Sequence, residues 1–115
     1  ITFFSNASKV KSLDYKQQAL QKEADNGKLV LQNQLQNAFQ QYNQNLSQYN
    51  YYKSIALPNA EIIISTAKVG FKSGDIGYIE YLQALQTATD VQLNYLQSVN
   101  ALNQSIVNIN FLTNK

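Results

Sequence analysis

The stretch Gly70-Phe71-Lys72-Ser73-Gly74-Asp75-Ile76-Gly77 holds three of the four glycines in the chain and lies between two long amphipathic segments, so its reading decides the fold. Gly74 suits the left-handed residue that stops a helix, because glycine takes positive φ without a Cβ penalty, and Asp75 suits an N-cap for the helix that follows. The stretch therefore reads as a helix-to-helix turn. A phosphate-cradling loop is the competing reading, but no strand precedes these glycines and their spacing fits neither nucleotide-binding fingerprint.

Working back from the turn, apolar residues recur at alternating steps of four and three: Leu35, Phe39, Tyr42, Leu46, Tyr49, Lys53, Ala56, Ala60, Ile63, Ala67 and Gly70, with only Lys53 out of character. Working forward, Tyr78, Tyr81, Leu85, Ala88, Gln92, Tyr95, Val99, Leu102, Ile106 and Ile109 repeat the pattern, with only Gln92 polar. Such a period marks a helix that faces a partner helix. If the chain folds back at the turn, Ala67 meets Leu85, Ile63 meets Ala88, Ala60 meets Gln92 and Ala56 meets Tyr95. Further out, Tyr49 meets Leu102, Leu46 meets Ile106 and Tyr42 meets Ile109, and every pair sums to 151 or 152. Small faces large near the turn, which lets layers interdigitate. Ile79, Leu82, Leu93, Leu96 and Val107 lie off this seam, so the second helix buries two flanks and needs two neighbours.

The expected fold is all-α: a long antiparallel helical hairpin of coiled-coil type, with one helix over about 6–72, the tip turn at 73–76 and a second helix over about 77–113. Pro58 lacks an N–H and its ring clashes with the preceding turn, which predicts a kink near Ala56 to Asn59. Upstream, Ala7, Val10, Leu13, Leu20, Ala24 and Leu31 continue a sparser helical pattern, weakened at Asn26-Gly27 and without a partner in the chain. That arm adds about 45 Å at 1.5 Å per residue. Ile1-Thr2-Phe3-Phe4 is β-prone and precedes Ser5-Asn6, so it reads as a strand remnant followed by a helix cap.

Composition bounds the chemistry. The 115 residues are one structural unit's worth of chain and contain no His, Cys, Met or Trp, which argues against thiol or imidazole catalysis, Cys/His zinc sites and disulfides. The expectation is of no enzyme, no cofactor and no metal site. A net charge of +2 is too slight for a nucleic-acid footprint. Asn and Gln supply 29 of the 115 residues while charged residues make up only 14%, so the polar surface is mostly neutral. No apolar run approaches the roughly 18 residues of a membrane span. Without an initiator Met or a leader pattern, the chain reads as a piece or a processed product.

Other clusters have plain readings. Tyr49, Tyr51 and Tyr52 invite an aromatic recognition site, but they lie on or beside the seam and packing accounts for them. Asp75 and Glu80 make a poor metal or acid–base pair without a third ligand, and capping or partner contact accounts for them better. Lys9, Lys11 and Lys16 are read as a solvated helix face, with anionic head groups as the sharper alternative.

The order of elements, with Ala67, Phe71, Gly74, Glu80, Leu82 and Ala84 around the turn, resembles the TolC family of outer-membrane efflux ducts, in which Ala, Tyr, Gly, Asp or Glu, Leu and Ala recur around the tip of the second helical-hairpin repeat. Tyr51-Tyr52-Lys53, Ala56-Leu57-Pro58-Asn59-Ala60-Glu61, Ser73 to Tyr81, Gln83-Ala84-Leu85 and Tyr95-Leu96 resemble the TolC-like segments of heavy-metal RND efflux systems of Bacteroidetes-type bacteria. Thr2 stands where the family often has proline, and no glycine pair follows Phe4.

This resemblance implies a homotrimeric α-barrel duct in the periplasm beneath an outer-membrane β-barrel of a Gram-negative bacterium. It carries substrate, metal cations by analogy with the relatives, from an RND pump and a periplasmic adaptor protein to the outside. By the same resemblance Phe71, Lys72, Ser73, Gly74, Asp75, Ile76 and Gly77 form the tip that docks the adaptor, while Glu80 and Gln83 are pore or aperture positions. A generic antiparallel coiled-coil scaffold or adaptor-type hairpin is the alternative. For the isolated chain the exposed flanks predict a dimer or other self-association rather than the trimer.

Overall fold

The computed structural model describes residues 2–114, with side chains from 8 to 114. The chain is all-α. Helix α1 spans Thr2–Tyr51, a π turn occupies Tyr52–Ala56, α2 spans Leu57–Ser73 and α3 spans Tyr78–Thr113. Two units are distinguished, Ile1–Asn37 and Ala38–Lys115.

The first unit is helical throughout its described length, and its apolar side chains Val10, Leu13, Tyr15, Leu20, Leu29 and Val30 all stand more than half exposed. Two expectations are corrected here. Thr2 to Phe4 are helical, not a strand remnant, and Ser5-Asn6 lie inside α1 instead of capping it, while Ile1 is outside the described residues. A strand needs a second strand to satisfy its N–H and C=O groups, whereas a helix satisfies them internally. The helix also runs through Asn26-Gly27 without a break.

The second unit is the antiparallel hairpin. Its irregularity lies one turn before the predicted kink at 56–59. The Leu57 N–H bonds to the Tyr52 carbonyl, an i to i−5 step, so the helix widens to a π turn over Tyr52–Ala56. The displacement follows from how proline disrupts a helix. Pro58 offers no N–H to the carbonyl four residues back, at Ser54, and its ring presses on that same carbonyl, so the preceding turn is the one that rearranges.

The wholly buried side chains among the described residues are all small: Ala38, Ala56, Ala60, Ala67, Ala88, Ser98 and Ser105. Most of each predicted stripe is buried or half-buried as expected. Leu35, Tyr42, Leu46, Tyr49, Ala56, Ala60, Ala67 and Gly70 on one side, and Tyr81, Leu85, Ala88, Tyr95, Val99, Leu102 and Ile109 on the other, fall in these classes. At the remaining positions the seam is shifted by one residue. Ala38 and Tyr52 turn inward where Phe39 and Lys53 were expected, and Val91, Ser98 and Ser105 do so in place of Gln92, Val99 and Ile106 as the main seam positions. Val99 remains half-buried beside the seam, but Phe39, Ile63, Ile106 and Tyr78 are exposed, and Ile64 is half-buried in place of Ile63. Close backbone approach favours the small neighbour over the large one, and the π turn accommodates two successive four-residue steps, Tyr52 to Ala56 to Ala60.

Register is fixed by a polar contact. The Asn45 amide donates to the Ala101 carbonyl at 3.2 Å and to the Ser105 hydroxyl, which itself donates to Ala101 at 3.1 Å. This is the expected Leu46–Ile106 pair moved back one residue on each helix. Ser98 satisfies its hydroxyl on the Tyr95 carbonyl at 2.6 Å, so neither buried serine is left unpaired.

Because Ala60 and Ala88 are each 1% exposed, neither site has room for a larger side chain. Ala60→Leu and Ala88→Leu are each expected to cost about 1–3 kcal/mol of stability. The exposed control Asn59→Ala should stay within about 0.5 kcal/mol in urea unfolding followed by circular dichroism.

Candidate functional site at the hairpin tip

The tip is built from a left-handed stop. Gly74 has φ 80°, and it is the positive-φ residue among those described. The Asp75 N–H bonds to the Gly70 carbonyl at 2.8 Å and the Gly74 N–H to the Phe71 carbonyl at 3.2 Å, the paired bonds of a Schellman ending. Ile76 adds a third N–H to the Gly70 carbonyl at 3.2 Å, and its side chain lies over Gly70, where an added Cβ would come within 3.3 Å of Cγ1. Gly70 thus supplies both the acceptor and the clearance that let the turn close. Ser73 donates to the Asp75 carboxylate at 3.0 Å, with the Gly70 carbonyl a second acceptor at 3.1 Å.

Helix α3 starts one residue later than expected. Its N-cap is Gly77 at φ −84° and ψ 173°, not Asp75, whose carboxylate is turned back to Ser73. Glu80 reaches the Gly77 N–H with Oε2 at 3.4 Å, the glutamate half of a capping box, and its charge stands in the first turn, where the helix dipole favours an anion. Glu80 therefore has a local structural role beside any aperture role, while Gln83 is simply exposed one turn on.

The sequence-defined tip residues are thus brought together in one compact turn, with Lys72, Ser73, Gly74, Asp75 and Gly77 exposed and Ile76 half-buried. Phe71 stacks on Tyr81 at 5.0 Å between ring centroids and 13° between planes, and meets Tyr78 at 6.0 Å and 51°. Sequence reasoning assigned Tyr78 and Tyr81 to the seam and missed this cluster. Aromatic residues on both sides of a short glycine turn were the available signal. Lys72 and Asp75 put one charge of each sign at the apex, so the tip presents an aromatic ledge under a small cap of balanced charge.

Away from the tip, the tyrosines pack. Tyr49 stacks on Tyr95 at 5.9 Å, Tyr52 meets Tyr51 edge-on at 5.3 Å, and the Lys53 ammonium stands 5.6 Å from the Tyr49 ring. Hydrogen bonding with the Tyr49 side chain, then burial at the seam, holds the Tyr95 phenol above its ordinary value, with Lys53 acting in the opposite sense. No group of three or more Asp or Glu is placed to hold a metal ion among the described residues. Nor is any of their helices long and apolar enough to cross a membrane. No family model, curated protein or solved structure matches the chain.

Nothing lies within 4 Å of a Cβ added at Gly74, so Gly74→Ala tests backbone strain alone, and a loss of about 1–2 kcal/mol is expected in urea unfolding. Gly77→Ser, which supplies the missing hydroxyl half of the box with Glu80, should gain a few tenths of a kcal/mol in the same assay. Tyr95 binds its proton more tightly folded than unfolded, so the stability linked to it is complete below the ordinary phenol range and is lost as pH climbs through the raised value. In an ultraviolet titration Tyr49→Phe should bring Tyr95 back down toward the ordinary phenol value.

Proposed function

We propose that the hairpin is one stave of the periplasmic α-barrel of a TolC-like efflux duct, serving as passive conduit and docking element with no catalytic step of its own. The observation that carries this reading is the presence of apolar rows on both helices that the hairpin seam leaves uncovered. On α2 and the turn before it, Ile55, Ile62 and Val69 recur every seven residues and are exposed. On α3, Ile79, Leu82, Leu93, Leu96 and Val107 occupy alternate heptads of one row and are exposed on nearly the opposite side from the seam. A two-helix scaffold needs only its one seam, whereas a stave in a closed ring needs a neighbour on each side.

In this reading three chains close the barrel, and the tip, Phe71 to Gly77, meets the periplasmic adaptor of an RND pump. The Phe71–Tyr78–Tyr81 ledge supplies the aromatic anchor that such a contact requires. The amide-rich surface suits a water-filled passage, since neutral amides neither repel nor trap ionic cargo, metal cations included. The choice of cargo then belongs to the pump.

The test is site-specific photocrosslinking in the native Gram-negative cell, with the probe at Ser73 or Asp75 of the intact protein. Capture of a periplasmic adaptor at both positions, and not from a probe at Gln44 far up the hairpin, is the expected result. Equal capture at all three positions, or none at the tip in an outer-membrane fraction that holds the protein, would remove the assignment.

A further inference from the structure

The outer row of α3 is a heptad pattern in its own right. Its apolar members Ile79, Leu82, Leu93, Leu96 and Val107 are 43–71% exposed. The members between them are Gln86, Thr89, Asn100 and Asn103, all exposed. Along the helix the row reads apolar, polar, apolar, polar, apolar, and this order is the same in both directions about a centre between Leu93 and Leu96.

We infer that, outside any larger assembly, this face pairs with the same face of a second copy of the chain, antiparallel, about a two-fold axis at Asn94–Tyr95. In an antiparallel coiled coil each layer joins the first core position of one helix to the second of the other. With Leu93 set opposite Leu96 of the second copy, Val107 falls opposite Leu82. Gln86 then falls opposite Asn103, and Asn100 opposite Thr89. Every inner layer is matched, apolar with apolar and hydrogen-bonding with hydrogen-bonding. Gln86 already donates to Asp90 at 3.0 Å, which leaves its carbonyl oxygen to accept from the Asn103 amide of the second copy.

This register covers the most of the row: a slip of two heptads toward the tip would again match Ile79 with Leu96, Leu82 with Leu93 and Gln86 with Thr89, but would leave Asn100 to Val107 uncovered. A slip of one heptad in either direction sets each of Leu82, Leu93 and Leu96 opposite an amide or a threonine, burying polar groups without partners. An open hollow of about 520 Å³ lies beside Asn100, Asn103 and Val107, at the height that Leu82 of the second copy reaches. Direction is decided by charge. Helix α3 carries two charged residues, Glu80 and Asp90, both acidic. Parallel pairing would bring each to the height of its own copy and align the helix dipoles, whereas antiparallel pairing opposes the dipoles and moves the two Asp90 side chains about 13 Å apart along the axis.

The extent suffices for a stable contact. From Ile79 to Val107 the row is about 42 Å long, and a third of a helix circumference over that length hides on the order of 600 Å² per chain. The pair therefore clears the roughly 1,000 Å² expected of a specific interface.

The inference stands apart from the duct reading and is tested on the isolated 115-residue chain, without membrane or adaptor. The chain has no cysteine, so introduced thiols report alone. When Gln86→Cys and Asn103→Cys chains are mixed and mildly oxidised, the mixed 86–103 disulfide should exceed either like-with-like disulfide by at least about tenfold. Like-with-like disulfides in excess mean parallel pairing, comparable yields of all three mean unspecific association, and either result overturns the proposal. In sedimentation equilibrium the unaltered chain should reach twice 13.0 kDa. The Leu93→Lys/Leu96→Lys chain should keep its helicity while its dimer dissociation constant rises at least about 100-fold. An unaltered chain that stays monomeric at its solubility limit, or a double variant that still dimerises, would refute the pairing.

Discussion

Two helices lying side by side can fully enclose only side chains that end within the gap between their backbones, and this limit governs the hairpin. Among the described residues its wholly buried positions are alanine and serine, and no large side chain is completely enclosed. Larger residues such as Tyr49, Tyr95 and Leu102 contribute by covering the seam from its edges. Apolar burial is therefore spread thinly over many turns, each adding little. The hairpin depends on keeping small residues in step along the whole seam, and the Asn45–Ser105–Ala101 contact fixes that step, because a slip would bury amide and hydroxyl groups without partners.

The same limit explains what could be read in the sequence. The turn was legible, since three glycines in eight residues between two heptad stripes leave few alternatives and Gly74 sits at positive φ as its residue type implies. Antiparallel pairing was legible from the constant pair sum. The phase of the seam was legible over most of its length and failed where counting apolar residues promotes Phe39 and Ile106 over Ala38 and Ser105. A serine that bonds back to its own helix behaves as a small, satisfied residue, so hydropathy misjudges it. The π turn was foreshadowed by Pro58 but misplaced, since the proline acts on the carbonyl four residues before it. The strand expected at residues 2–4 rested on β propensity, which has little force without a neighbouring strand.

At the tip, the residues named from the sequence proved to be the turn, but their roles were redistributed. Asp75 was expected to cap α3, and the turn geometry gave that position to Gly77, leaving Asp75 bonded to Ser73. The Schellman ending consumes Gly70, Phe71 and Gly74, which fixes where Ile76 must fold over Gly70 and hence where α3 can begin. The aromatic ledge follows from this closure. Once the chain reverses over so few residues, Phe71 at the end of one helix and Tyr78 and Tyr81 at the start of the next have to share the same small region.

The outer face of α3 is the surface that both proposals, the duct and the two-fold pair, would use. Staves of one barrel stand with their tips together, so a neighbour that covers Leu93 and Leu96 in the ring belongs to a hairpin pointing the same way. The palindromic row instead matches a copy pointing the opposite way, with the tips at far ends. One face cannot serve both partners at once, so under the two proposals a chain paired in this way would be withheld from ring closure until the pair separated. The amide layers bear on that exchange. Gln86, Thr89, Asn100 and Asn103 rehydrate readily when the faces part, which makes the pair less costly to open than an all-leucine seam of equal length, while the leucine layers still penalise a chain left alone in water. A row of alternating apolar and amide layers is thus suited to a contact that protects an exposed flank and later yields it to another helix.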